Sequence, residues 1–285
     1  MRWTAGDRSN IEDARGRSGG MAMGAGGLGV GGLLLLLVLS WATGMDLTSM
    51  VGGGGGGGSA PPDAVGTSGE VKASPAEEKL VDMVDAVLDD AQETWRQLLG
   101  GQYQDTKAVL FRDAINSACG FAQSATGPFY CPADRKVYLD LGFFGELDRR
   151  LGAPGDFAQA YVLAHELGHH VQTLTGVERQ VRERQSSSPA ARNALSVRME
   201  LQADCYAGVW AYHANKGSGR VQLDPDDTEE GLNAAAAIGD DRLQKMQSGR
   251  VAPERFTHGT SQQRVEWFKR GMNSGEPKAC DTFNE

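Results

Sequence analysis

The 285-residue chain is predicted to fold as α+β: a mainly helical domain with a small sheet, preceded by a transmembrane helix and a flexible linker. Three observations carry that reading. Apolar residues recur at helical spacing over long stretches beyond residue 75, whereas only short runs there read as strands. Residues 21–45 contain no charged side chain, a length that can cross a bilayer. Between these regions lie seven consecutive glycines, Gly52 to Gly58. The implied organisation is a cytoplasmic tail at 1–20, a signal anchor at 21–45, a Gly/Pro-rich linker at 46–74 and one folded domain at 75–285.

The anchor centres on Leu33-Leu34-Leu35-Leu36-Leu37-Val38-Leu39, and Arg2, Arg8, Arg15 and Arg17 precede it. No Lys or Arg follows until Lys72, so the positive-inside bias places the N-terminus in the cytoplasm and the rest of the chain outside. Ala42-Thr43-Gly44 has the small residues of a signal-peptidase site, but the long charged leader favours an uncleaved anchor. Ser59-Ala60-Pro61-Pro62 and a polar run to Ser74 extend the glycines into a tether that cannot bury enough apolar surface to fold. As a random coil it reaches on the order of 25 to 30 Å.

The folded domain opens at Ser74-Pro75, with Ser as cap, Pro at the first helical position, and Glu77 and Glu78 in the first turn. Leu80, Val81, Val84, Leu88, Ala91, Trp95 and Leu98 then recur at helical spacing and predict core, up to a stop at Gly100-Gly101. Val109-Leu110-Phe111 and Val137-Tyr138-Leu139-Asp140-Leu141 read as short strands.

The next helix carries the chemistry. His165-Glu166-Leu167-Gly168-His169 places two imidazoles one turn apart on one helical face, with a carboxylate beside the first. The chain's own composition predicts roughly 0.005 such pentapeptides by chance. His165 and His169 can hold one Zn²⁺ through neutral imidazole nitrogens, and Glu166 is placed to act as general base on a water activated by the metal. Asp156 is a plausible N-cap, Gly176 a plausible stop, and Phe157, Ala160, Tyr161, Ala164 and Val171 supply the apolar face.

A catalytic zinc takes three protein ligands and keeps one position open. A third histidine ten residues after the first is missing, because that position is Thr175. His170 points off the metal-facing stripe, leaving His213 and His258 among the histidines, so a carboxylate is the better candidate. Glu200 and Asp204 stand one turn apart in a predicted second helix, Arg198 to Gly208. Glu200 would be the third ligand, and Asp204 would accept the spare N–H of a ligating histidine. Ala203, Ala207 and Gly208 are small enough to let two helices approach closely. Glu78 and Asp82 share the spacing but read as a solvated face.

His165 to His170, the ELQADCYAGVW run from Glu200, GPFYCPADRKVYLDL from Gly127 and HGTSQQRVEWF from His258 together resemble the bacterial family described as "putative neutral zinc metallopeptidase". The resemblance covers roughly Met1–Leu47 and Ala76–Phe283. It implies a membrane-anchored peptidase of the zincin type with glutamate as third ligand. In such folds a strand before the active helix forms the edge on which peptide lies, and Val137–Leu141 is the candidate.

Four cysteines, all beyond the apolar segment, fit an exported protein with two disulfides. Cys119 and Cys131 bracket a short loop, which would leave Cys205 with Cys280. Three connectivities are possible on sequence grounds, and Cys205 as a zinc thiolate is a rival reading. His258, in a Thr-His-Gly-Thr-Ser loop before a helix opening at Thr260 or Ser261, is a candidate to stabilise the transition-state oxyanion, with Tyr161 as an alternative donor. Asp240 and Asp241 resemble a family motif without an evident role beyond capping or solvation.

With 28 Lys and Arg against 37 Asp and Glu, the net charge is −9, and no basic patch or phosphate-cradling loop is present to bind nucleic acid. The expected activity is zinc-dependent peptide-bond hydrolysis, more endo- than exo-, on a peptide or protein of the cell envelope, at the outer face of the bacterial cytoplasmic membrane. Two alternatives use the same residues: a non-catalytic zinc-stabilised module that binds another envelope protein, and an amidase acting on cell-wall peptides.

Overall fold

The computed structural model describes residues 1–16, 71–124, 127–217 and 219–284. The expected anchor at 21–45 and most of the linker therefore lie outside the described residues. Among those described, no helix is long and apolar enough to cross a membrane.

The first sixteen residues are part of the folded body. β1 (Arg2–Trp3) pairs antiparallel with β8 (Val221–Gln222), and β2 (Ile11–Asp13) pairs in parallel with β3 (Lys107–Phe111). Helix α1 (Pro75–Leu99) runs alongside and starts as the sequence predicts: the Ser74 hydroxyl accepts the Glu77 N–H, Pro75 opens the first turn, and Gly100 ends the helix at φ 55°. Its acidic N-terminal half is clamped by the arm. Arg8 binds Glu78 at 2.6 Å and Asp82 at 2.5 Å, so these two acids are arm contacts and not the expected solvated face. Arg15, with a side chain only 1% exposed, binds Asp13, Glu77 and Glu78 at 2.6, 2.9 and 2.8 Å.

This packing overturns the expectation of a separate cytoplasmic tail. Strand pairing and ion pairs join residues 1–16 to the folded body formed by the later described residues.

The central sheet has the order β2-β3-β7-β6. β7 (Lys136–Asp140) runs parallel to β3, and β6 (Phe129–Cys131) runs antiparallel to β7. β7 is thus an interior strand over Lys136–Tyr138. The short antiparallel β6 is the edge beside Lys136–Tyr138, which corrects the expectation that the whole of Val137–Leu141 would be; Leu139 and Asp140 pair with β3 alone. A separate hairpin, β4 (Ala114–Ser117) with β5 (Gly120–Gln123), projects beside β6. The Cys119–Cys131 disulfide ties its turn to the end of that edge strand.

Helices complete the body: α2 (Gly142–Arg149), α3 (Asp156–Leu174), α4 (Val177–Ser187), α5 (Arg192–Asn215), α6 (Asp227–Ala237), α7 (Asp240–Ser248) and α8 (Ser261–Ser274). α3 is buried almost all round; Phe157, Ala160, Tyr161, Ala164, Leu167 and Val171 are each no more than 1% exposed. A helix so enclosed fixes whatever it carries. α5 and α8 approach through glycine: a Cβ at Gly271 would lie 1.9 Å from the Cys205 carbonyl oxygen, and one at Gly208 would lie 2.1 Å from that of Phe268. Gly208 therefore serves the α5–α8 contact and not the α3–α5 contact predicted for it. The Cys205–Cys280 disulfide closes the same layer and removes Cys205 from consideration as a ligand.

Candidate metal centre

α3 and α5 cross at Gly168. A Cβ there would lie 2.9 Å from the Ala203 Cα and carbonyl oxygen, so the glycine inside the pentapeptide is what lets the two ligand helices meet. At this crossing the His165 Nε2 lies 3.2 Å from one Glu200 carboxylate oxygen, and the His169 Nε2 lies 3.6 Å from the other. One atom from each of His165, His169 and Glu200 falls within 4.8 Å of the others. Tetrahedral zinc with bonds near 2.1 Å separates its ligand atoms by about 3.4 Å. The residues fit that ion in donor type, number and spacing.

Each histidine is held by its far nitrogen. The His165 Nδ1–H donates to Asp204 at 2.8 Å, which leaves Nε2 for the metal, as predicted for Asp204. The His169 Nδ1–H donates to Gln172 Oε1 at 2.9 Å, and Gln172 in turn donates to the Met199 carbonyl and to Gln202. Gln172 was not foreseen, although its place one turn beyond His169 on the same helix was the available signal.

Arg264 was also missed. It is 2% exposed and holds both oxygens of the fully buried Asp204 at 2.8 Å. No short motif announces it, because it arrives from α8, sixty residues away. The Tyr161 hydroxyl donates to the same carboxylate, and its ring is fully buried. Tyr161 therefore supports Asp204 and is removed as an oxyanion donor. Burial alone would raise the Asp204 pKa, but the Arg264 and His165 charges hold it below the usual range. For His165 burial acts downward, yet the Asp204 charge, with hydrogen bonds to Asp204 and Glu200, lifts it to about 9 without metal. In Glu200 the neighbouring histidines outweigh burial and keep the carboxyl well below its ordinary value.

His165, Glu166, His169, Glu200 and His258 line one cleft of 2580 Å³. Glu166 is 8% exposed and accepts no hydrogen bond from the described residues, so its oxygens are available to a water in the cleft. Phe121 of the β4–β5 hairpin, Phe129 and Tyr130 of β6, and Leu243 and Met246 of α7 line the same cleft. His170 is not part of the His165–His169–Glu200 cluster, as expected. Its ring is 0% exposed and lies between the Tyr130 hydroxyl at 2.9 Å and the Gln104 carbonyl at 2.6 Å, which ties α3 to the edge strand. His213 bonds the Gly275 carbonyl and takes no part. His258 reaches the cleft wall with Nδ1 3.2 Å from Asp240.

Asp240 is buried and accepts the His258 N–H, while the half-buried Asp241 accepts the N–H of Ser261 at the start of α8. A second acidic group, Asp156, Asp227 and Glu230, lies apart from the cleft beside the Met1 amine, which bonds Asp227 at 2.9 Å.

The chain has relatives among known proteins. The chain is 48% identical to the uncharacterized protein YpfJ of Escherichia coli K12 over its whole length and 99% of that protein. It is 46% identical to the uncharacterized protein Rv2575 of Mycobacterium tuberculosis H37Rv, over 67% of this chain and 66% of that one. No solved structure gives a significant match. The family model described as "Putative neutral zinc metallopeptidase" matches residues 1–283, taking in both the arm and the metal centre, and the chain belongs to that family.

Proposed function

We propose that this protein is a zinc-dependent peptidase that hydrolyses internal peptide bonds of extended chains. The observation that carries the reading is the convergence of His165, His169 and Glu200 beside Glu166, whose carboxylate is unoccupied on the wall of a long cleft. Bound zinc would supply Lewis-acid polarisation of the attacked carbonyl and of the attacking water. His165 and His169 would present Nε2 to it, each fixed in one tautomer by Asp204 or Gln172. Glu166 would take the proton from the attacking water and pass it to the leaving amine. His258 would donate a hydrogen bond to the carbonyl oxygen as negative charge develops there.

Substrate would lie along β6, whose outer edge pairs with no strand among the described residues. Backbone pairing at an open edge binds peptide with little sequence preference. The cleft is larger than the roughly 300 to 1,000 Å³ of a small-molecule pocket and favours a polymer.

Two disulfides favour an oxidising compartment. We place the folded body, arm included, at the outer face of the cytoplasmic membrane, with envelope polypeptides as substrates and the apolar 21–45 segment as its membrane attachment. The test is digestion of an unfolded protein by the full-length chain, with cleavage sites read by mass spectrometry. Internal cuts abolished by a chelator and restored by zinc are expected. Intact substrate at full zinc occupancy would refute the peptidase assignment.

A further inference from the structure

We propose that His170 is a positioning residue that holds the edge strand β6 at a fixed offset from the metal helix, so that a peptide paired along β6 is presented to the metal centre. The inference rests on the peptidase reading above and gives the last histidine of the His165–His170 run a part in substrate binding.

His170 directly follows a candidate zinc ligand, yet the two rings serve different partners. His169 turns to Glu200 and Gln172, whereas the His170 ring is 0% exposed and spends both nitrogens on groups outside its own helix. Its Nε2 lies 2.6 Å from the Gln104 carbonyl oxygen, which can only accept, so Nε2 carries the ring proton. In the neutral ring Nδ1 is then an acceptor, and it takes the Tyr130 O–H at 2.9 Å. The Tyr103 and Tyr130 rings meet the imidazole at 85° and 60°, with centroids 5.6 and 5.3 Å away.

β6 is the strand that needs such a hold. It has three residues, Phe129–Cys131, and among the described residues it pairs with a strand on one side only. Its disulfide ties it to the β4–β5 hairpin and not to a helix. Ala160, Leu163 and Leu167 of α3 share one buried apolar cluster with Val137 and Leu139 of the sheet. Apolar burial is non-directional and does little to fix the offset of a strand. Hydrogen bonds from both edges of one enclosed ring do fix it. Tyr130 lines the cleft together with His165, Glu166 and His169, so the hold acts on the stretch of strand to which substrate would pair.

The test uses the full-length protein, loaded with Co²⁺ for ¹H–¹⁵N spectra and with zinc for kinetics. Paramagnetic shifts of the Phe129–Cys131 amides report their placement relative to the metal whether or not a peptide is cut. Tyr130→Phe, which removes one hydroxyl and keeps the ring, is expected to alter those shifts and to raise KM about 3- to 10-fold, with kcat and zinc content unchanged. His170→Phe should alter the same shifts, and Tyr130→Phe should add nothing to KM in its background. His170→Asn, whose side-chain oxygen takes the place of Nδ1, should keep KM closer to that of the unmodified protein than His170→Phe does. Amide shifts unchanged in both Tyr130→Phe and His170→Phe, or effects of the two on KM that multiply, would overturn the proposal. If the unmodified chain takes up Co²⁺ but cuts no peptide, the peptidase reading fails, while the amide shifts still decide whether His170 sets β6 against the metal centre. Failure to take up Co²⁺ would overturn both.

Discussion

Replacing Arg264 by Met should destabilise the metal-free protein far more than a surface arginine would. Arg264 is 2% exposed and makes a two-pronged contact, 2.8 Å to each oxygen of an Asp204 that is itself 0% exposed. Methionine fills much of the space but leaves that carboxylate with only His165 and Tyr161. Removing one partner of a buried ion pair costs about 3 to 5 kcal/mol, and two surviving hydrogen bonds place this case near the low end. For a body of this size, each kcal/mol lowers the melting temperature by about 2 to 4 °C, so a fall of about 6 to 12 °C is expected. The assay is thermal unfolding in chelator, so that zinc binding does not offset the loss. Arg264→Lys should recover part of it, since an ammonium restores the charge but not the two-pronged geometry. Asp204→Asn combined with Arg264→Met should cost less than the sum of the two, because the carboxylate is no longer left charged. A loss under about 1 kcal/mol, or strict additivity, would refute the view that this pair underpins the first zinc ligand.

Three further outcomes follow from the packing. Gly168→Ala should push α3 from α5 against Ala203, with overpacking of about 1 to 3 kcal/mol and weaker zinc retention measured by chelator competition; unchanged retention would show that the crossing has slack. Cysteines at Arg2 and Gln222, paired across β1 and β8, should cross-link on mild oxidation of intact cells. Labelling of the two sites from opposite sides of the membrane would instead contradict the β1–β8 pairing. The arm should also loosen in acid. Hydrogen bonds from Arg15 hold the Asp13 carboxyl below its usual range, those from Arg8 and Arg15 do so for Glu78, and in Glu77 the Arg112 and Arg15 contacts outweigh burial. Carboxyls lowered by folding stabilise above their ordinary pKa of about 4, and that contribution is lost as pH falls through the lower folded values. The ¹⁹F signal of fluorotryptophan at Trp3 should therefore shift to a free-arm position only below about pH 4; release near neutrality would contradict the ion-pair account.

The candidate metal site was legible because a helix imposes one period: the candidate ligands His165 and His169, and Glu200 with its neighbour Asp204, stand one turn apart, and 3.6 residues per turn dictates who faces whom. The start of α1 was equally plain, since Ser74 and Pro75 act locally. What stayed hidden depends on contacts distant along the chain. Arg264 reaches the site from an element brought there only by folding, and an isolated arginine carries no periodic mark. β7 read as an edge because the number of partners a strand finds is a property of the sheet, and β6 is too short, at three residues, to show alternation. The arm read as a tail because its arginines precede an apolar run, while the acids they bind begin more than sixty residues later. The close approach at Gly168 was written in the motif itself, but only the position of Ala203 gives it meaning.

The most direct test of the central claim is zinc content and peptide hydrolysis, measured together on the full-length protein and its Glu166→Gln variant. The account predicts one zinc per chain in both, with cleavage by the unmodified protein alone. Cleavage retained in the variant, or failure of the unmodified protein to bind zinc, would contradict it.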